Sequence, residues 1–216
     1  MPHTTHSPAP LPTLRRLPGY YRFLQTLEAA GETTVSCTAI AKALHLDPTG
    51  VRKDLAFTGI IGKPRVGYLL EELQRAIETF LGWTTTSEAV LVGAGDFGRA
   101  LLGYKPFTER GLEIVVAFDV DPELVGNTVR GKPVLAMDAL GDTIRKRDIR
   151  IGIITTPAAA AQAIADTMVE AGIRAIWNFA PTTLDVPEGV ILEHVELAAS
   201  LAVLSSKLAA RKPATQ

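Results

Sequence analysis

Gly93-Ala94-Gly95-Asp96-Phe97-Gly98 stands directly after the apolar run Ala89-Val90-Leu91-Val92 and just before Arg99-Ala100-Leu101-Leu102. Glycines at this spacing, at a strand-to-helix turn, suit a pyrophosphate. The first permits a tight turn, the second lets the anion approach the backbone, and the third lets helix and strand pack closely. The N–H groups and dipole at the helix start then face the phosphates. A second apolar run, Ile114-Val115-Val116-Ala117-Phe118, ends at Asp119, 26 positions after Gly93. A carboxylate there is placed to accept from an adenosine ribose 2′-OH and to repel the extra phosphate of NADP. Its alternative use is as a turn residue in Asp119-Val120-Asp121-Pro122.

A different chemistry lies nearer the N-terminus. Asp47-Pro48 is an N-cap followed by proline at the first helical position, opening a short helix that carries Val51, Leu55 and Phe57 and leaves Arg52 and Lys53 facing outward. Glycines then frame short apolar pieces from Gly59 to Tyr68, with Lys63 and Arg65 at the tip, which predicts a β-hairpin. Upstream, Leu17, Tyr20, Tyr21, Leu24 and Leu27 recur at helical spacing between Leu14 and Ala30, and Ser36 can cap a second short helix with Ile40, Ala43 and Leu44. Three short helices and a basic hairpin make a winged helix-turn-helix. Its outward cations suit the major groove and the flanking phosphates of DNA. Charge agrees: residues 1–66 hold 8 Lys/Arg against 4 Asp/Glu, residues 67–216 hold 14 against 19, and a net charge of −1 conceals the split. A helical interaction module with merely solvated charges is the alternative for this segment.

These residues require two domains, and the chain supports them. It has 216 residues, 47% hydrophobic and 21% charged, enough apolar matter for buried cores. The expected fold class is α/β and two-domain: an N-terminal winged helix-turn-helix, then a Rossmann-like parallel sheet with a C-terminal dimerisation helix. The boundaries read from the sequence are a proline-rich flexible tail over 1–13, a winged-helix domain over 14–82 closed by an amphipathic helix from Leu69, a linker over 83–87, a nucleotide-binding domain over 88–192, a last helix over 193–210 and a tail over 211–216. Strands Ile149–Ile154 and Ile173–Trp177 lead into Thr155-Thr156-Pro157 and Asn178-Phe179-Ala180-Pro181. Both loops share the rim of the glycine loop, where ligands of such sheets bind. The last helix, from His194 to about Ala210, is apolar on more than one face, which predicts burial against a second subunit. The lone Cys37 excludes a disulfide framework and a Cys-rich zinc site, and no metal site is expected. Cys37 reads as a small packed residue beside a helix start, a peroxide-sensing thiol being its sharper alternative. No apolar run approaches the roughly 20 residues of a membrane span, and the N-terminus has no secretory apolar core, which predicts a cytoplasmic protein.

A winged helix joined by a short linker to an NAD-type domain with a sticky last helix resembles the Rex family of redox-sensing transcriptional repressors. The resemblance spans Leu14 to about Leu208. It is carried by Tyr20-Tyr21-Arg22-Phe23-Leu24, Val51-Arg52-Lys53-Asp54-Leu55, Val66-Gly67-Tyr68, the glycine loop, Ala117-Phe118-Asp119-Val120-Asp121-Pro122, Thr155-Thr156-Pro157 and Asn178-Phe179-Ala180-Pro181. It implies a homodimer that binds palindromic operator DNA and is released by NADH, with NAD+ the competing ligand. The expected cofactor residues are Gly93, Ala94, Gly95, Asp96, Phe97, Gly98, Tyr104, Asp119, Thr155, Thr156, Pro157, Asn178, Phe179 and Ala180. The expected DNA residues are Thr49, Arg52, Lys53, Phe57, Lys63, Arg65 and Tyr68. The resemblance also implies a switch of Arg16, Tyr104 and Glu196, in which NADH displaces Tyr104 and Glu196 pairs with Arg16. The chain departs from the family in Phe57-Thr58 for an aromatic pair, in Pro64 at the hairpin tip, and in Glu196 where Asp is common. Two rival readings stand beside this one. An NAD-dependent oxidoreductase would need a general acid or base, and His45 and His194 are poorly placed for one. A CoA-binding domain has similar Thr-Thr-Pro and Asn-Phe-Ala-Pro loops but no winged helix.

Overall fold

The computed structural model describes residues 9–210; residues 1–8 and 211–216, which hold most of the expected tails, lie outside it. The chain divides into two compact units between Thr85 and Thr86.

The first unit runs α1 (Leu11–Ala29), β1 (Thr34–Val35), α2 (Cys37–Leu44), α3 (Pro48–Ala56), β2 (Tyr68–Leu69) and α4 (Leu70–Phe80). The short helices start where side chains can satisfy orphan amides. Ser36 Oγ accepts from the Ala39 N–H at 3.0 Å and Asp47 Oδ2 from the Gly50 N–H at 2.7 Å. Leu17, Tyr20, Leu24, Ile40, Val51, Leu55, Leu73 and Ile77 form the core. One acid is buried with them. The Asp54 carboxylate, 2% exposed, accepts from Thr13 Oγ1, from Tyr20 OH, and from Arg16 Nε and Nη2, both at 2.7 Å. Burial pushes this carboxyl up, but the combined hydrogen bonds from Arg16, Tyr20 and Thr13 outweigh it and hold the group below the usual carboxylate range. The same bond raises the Arg16 guanidinium, while burial, then the bond to Asp54, raises the Tyr20 phenol. This cluster ties the α3 surface to α1.

Three sequence expectations change here. The tail does not reach residue 13: α1 begins at Leu11, because Thr13 is buried and bonded to Asp54. Trp83 is not linker; its ring stands edge-on to Tyr21 at 5.4 Å, and Ser87 already belongs to the first strand of the second unit. The hairpin shrinks to one bridge, with Lys63 and Gly67 exchanging bonds of 2.6 and 2.9 Å around a turn in which Arg65 has φ 63°. Tyr68 and Leu69 then pair with β1 instead of a returning strand. Gly67 permits this: at φ +93° its absent Cβ would lie 2.3 Å from the Val35 carbonyl oxygen.

The second unit contains β3 (Ser87–Val92), α5 (Asp96–Leu102), α6 (Lys105–Glu109), β4 (Leu112–Asp119), β5 (Thr128–Val129), β6 (Lys132–Ala136), a 3-10 turn over Met137–Ala139, α7 (Leu140–Arg147), β7 (Ile151–Ile154), α8 (Ala158–Ala171), β8 (Ala175–Asn178), β9 (Ile191–His194) and α9 (Leu197–Ala209). The sheet order is β5-β6-β4-β3-β7-β8-β9, parallel throughout except for β5 against β6. Alternation divides its faces. Val90, Val92, Val116 and Ile176 pack with Leu140, Ile144, Ile164 and Met168 of α7 and α8, while Ala89, Leu91, Ala117 and Ile153 pack with Leu102 of α5 and with Phe107 and Trp177. His194 ends strand β9 rather than starting the last helix, because its segment pairs with β8; Glu196 is the N-cap position of α9. Leu201, Val203, Leu204 and Leu208 of α9 are exposed. Among the described residues no helix is long and apolar enough to cross a membrane.

Asp54→Ala should destabilise the first unit by about 3 kcal/mol, the scale of breaking a buried ion pair, discounted because Arg16 is partly exposed. The lowered Asp54 value means its stabilisation is present above the usual carboxylate range and is lost as pH falls through that lowered value. The raised Tyr20 value means its share is present below the usual phenol range and is lost as pH rises through the raised value. Urea unfolding against pH should show both losses in wild type; in Asp54→Ala the low-pH loss should vanish and the high-pH loss, driven first by burial of Tyr20, should shrink.

Candidate functional site

In the second unit the glycine loop joins the end of β3 to α5, and its three glycines have different reasons. Gly93 has φ +102° and lies against Thr155; Gly98 approaches so closely that a Cβ would fall 1.9 Å from the Gly93 oxygen; a Cβ on Gly95 would enter open space. Only the Gly95 position faces outward, as a pyrophosphate cradle needs. No side chain caps α5, so its first-turn amides are available to an anion.

The loop is held from outside. Ala94 is buried; its N–H donates to Asp119 Oδ2 at 2.6 Å and its carbonyl accepts from Arg99 Nε at 3.1 Å. Asp119 Oδ1 also accepts from the Val120 and Asp121 N–H groups at 2.8 and 3.0 Å. Asp119 therefore spends three of a carboxylate's roughly four acceptor positions on backbone. The Thr155 hydroxyl lies 2.7 Å from the Gly93 oxygen and 3.0 Å from that of Val92. Thr156 Oγ1 is buried without a partner, an unmet polar atom beside a cavity. That cavity, of about 610 Å³, is lined by Gly93, Gly95, Asp119, Val120, Met137 and Asp138 together with Thr155, Thr156, Pro157, Ala160, Ala163, Ile164 and Thr167. The open glycine, the uncapped amides and the orphan hydroxyl fit a dinucleotide.

Toward the other side of the loop the rim is aromatic. Phe97, Phe179, Trp177, Phe107 and Tyr104 follow one another at ring separations of 5.2, 4.9, 5.3 and 4.8 Å. Phe97 and Tyr104, at its ends, are exposed. Asn178 and Ala180 are buried and shape this rim instead of facing solvent. The Asn178 amide donates to the Thr182 carbonyl at 2.8 Å, accepts from the Ala180 N–H at 2.9 Å and meets His194 Nδ1 at 3.1 Å. A second cavity, of about 470 Å³, is lined by Phe179, Thr182, His194 and Glu196.

In the first unit, Arg52, Lys63, Pro64, Arg65 and Tyr68 line a cleft of about 470 Å³ with Ser36 and Thr38. Thr49, Arg52, Lys53, Lys63 and Arg65 are exposed; Lys53 does not line the cleft. Phe57, the C-cap residue of α3, does not line that cleft; it is half-buried and lines a groove with Glu72, Arg75 and Phe80. Tyr68 is half-buried, and its hydroxyl accepts from the Cys37 thiol at 3.8 Å; burial, then that bond, raises its phenol. Arg16 Nε bonds Asp54 Oδ2 at 2.7 Å within the first unit. The sequence reading missed Asp54 as a hub, and Val120, Met137, Asp138, Ala160, Ala163 and Thr167 as pocket wall. The small residues of α8 at helical spacing were the available signal.

Comparison with known proteins covers both units. The family model described as "Putative DNA-binding protein N-terminus" matches residues 9–56, and that described as "CoA binding domain" matches residues 84–182. The "Redox-sensing transcriptional repressor Rex" of Bacteroides fragilis is 42% identical over 206 residues, 95% of this chain and 94% of that one. Its namesake from Desulforamulus reducens is 41% identical over 203 residues, 94% of this chain and 97% of that one. Among solved structures, RSP in complex with beta-NAD+ and operator DNA aligns at a TM-score of 0.88 and 35% identity, over 94% of this chain and 93% of its own. RSP in complex with beta-NADH aligns at 0.85 and 35%, over 94% and 95%.

Gly98→Ala should force the Gly93 backbone aside and cost about 1–3 kcal/mol of second-unit stability, as overpacking does. Gly95→Ala, with open space before it, should leave stability within about 0.5 kcal/mol. Urea denaturation of both variants checks the contrast.

Proposed function

The chain belongs to the Rex family of redox-sensing transcriptional repressors, and on that premise we propose that it binds operator DNA through its first unit and NADH or NAD+ through its second, NADH releasing the DNA. The observation that carries this is the whole-chain likeness, over both units together, to a repressor solved with NAD+ and operator DNA. The CoA-binding description concerns residues 84–182 alone and leaves the basic cleft unexplained.

In this reading Arg52 and Lys53 of α3 reach the major groove, with Thr49 beside them, and Lys63 and Arg65 hold the flanking phosphates. Arg52, Lys63 and Arg65 share one cleft, which supports a single interface of helix and wing. Phe57 is left out, since it packs toward α4. Gly93, Gly95 and the first turn of α5 take the pyrophosphate, and Asp119 with Asp138 brings negative charge to the adenosine end, unfavourable to NADP. Phe97, Phe179 and Tyr104 offer ring faces to the nicotinamide. Tyr104, at the exposed end of the aromatic row, and Glu196, at the root of α9, are the switch residues. Arg16, which bonds Asp54 in the single chain, would exchange that partner for Glu196 in the NADH state. The exposed leucines of α9 support a homodimer, which would place two recognition helices on a palindrome. Binding without turnover fits the histidines near the units' working parts: His45 is a left-handed helix C-cap and His194 is engaged by Asn178.

Operator binding titrated separately with NADH and NAD+ should show release by NADH only. Lys63→Ala and Arg65→Ala should each weaken binding across sequences and reduce the log–log salt slope by about one. An unchanged slope would remove the wing from the interface, and release by NAD+ alone would reverse the sensing direction.

A further inference from the structure

Two carboxylates border the cavity beside the glycine loop, and they are not equivalent. Asp119 spends three of its roughly four acceptor positions on the Ala94, Val120 and Asp121 amides. Asp138, on the 3-10 turn that follows β6, has no hydrogen bond or ion pair among the described residues. β6 pairs with β4 and lies two strands from β3 and its glycine loop, and Asp138 lines the same cavity as Met137, Val120 and the α8 residues Ala160, Ala163 and Ile164. This part of the cavity lining thus combines apolar side chains, two of them alanines, with one carboxylate that no described residue uses. If the phosphates lie at the glycines, the group reaching this part of the cavity is the base of the nucleotide.

We propose that Asp138 selects the base: its carboxylate accepts from the 6-amino group of adenine and rejects a purine that carries a 6-oxo group instead. The inference rests on the dinucleotide reading above and adds the atom by which the adenine half is distinguished. The chemistry is one-sided. An ionised carboxylate is acceptor-only, so an exocyclic amine satisfies it, whereas an exocyclic oxygen sets lone pairs against it. A site built to bond a donor discriminates strongly against an analogue lacking that donor. An amide in its place can accept from an amine or donate to an oxygen, and it loses the preference.

The test compares NADH with reduced nicotinamide hypoxanthine dinucleotide on the full chain, following the fluorescence of the reduced nicotinamide that both carry. Wild type should bind NADH at least about tenfold more tightly, the scale of one hydrogen bond to a charged acceptor. Asp138→Asn should bring the two affinities within about twofold of each other. Equal affinities in wild type, or a preference that persists in Asp138→Asn, would overturn the assignment while leaving dinucleotide binding intact. If wild type binds neither compound, the dinucleotide reading itself fails and the assignment with it. Because Asp138 is exposed and bonded to nothing, the variant should melt with wild type, and the wild-type comparison needs no variant at all.

Discussion

The peptide of Ala94 is held at both ends, its N–H by Asp119 and its carbonyl by Arg99. The binding edge of the second unit depends on that tether. A glycine-rich loop has the conformational freedom to adopt the cradle and an equal freedom to leave it. Here the loop is fixed by groups from three directions: the end of β4 through Asp119, the first turns of α5 through Arg99, and the end of β7 through Thr155 at the Gly93 oxygen. Gly98 adds a steric constraint, since backbone of α5 rests on the Gly93 carbonyl with no room for a methyl group. The ordering entropy is met by folding and not by the ligand, which is how a rigid site gains affinity without more contacts.

The first unit follows the same logic with charge. Asp54 draws Thr13, Arg16 and Tyr20 into one buried cluster, so α3 is fixed to α1 by directional bonds as well as by apolar packing. Apolar contacts alone tolerate small rotations of a helix; a bidentate guanidinium–carboxylate pair does not. The outward faces of α3 and the wing then carry cations whose spacing is set from within.

Local signals were legible in the sequence, and distant ones were not. Ser36 and Asp47 cap helices with side chains that reach three residues along, so their chemistry is complete within a short window. The glycine loop likewise declares itself through spacing and its flanking apolar runs. Asp54 could not be recognised as a hub, because its partners are 34 to 41 positions away. The short strands β5, β6 and β9 escaped for a similar reason: two to five residues carry little periodicity, and pairing with a neighbour decides them. Arg16 and Asp119 show the limit most clearly. Residue type marked both as available charges, yet each is occupied by the protein itself, Arg16 by a buried acid and Asp119 by backbone amides. Type and position show what a side chain can do; only the fold shows whether it is free to do it.

That distinction bears on where redox sensing can reside. NADH and NAD+ share the adenosine and pyrophosphate, so contacts that the glycine loop and its cavity would make to that half are the same for both. Such contacts raise affinity and shift no equilibrium, since a ligand moves a conformational balance only by what it does differently to the two states. The difference must be read where the two molecules differ, at the nicotinamide, which is cationic when oxidised and neutral and puckered when reduced. In the proposed reading that end of the rim is the aromatic row from Phe97 to Tyr104, whose Phe179 follows Asn178, itself bonded to His194 at the end of β9. Ring faces favour a cation electrostatically and a neutral ring by packing, so one row of aromatics can grip the two ligands in different geometries. In that reading the adenosine half would fix the molecule in place while the aromatic half would distinguish its oxidation state.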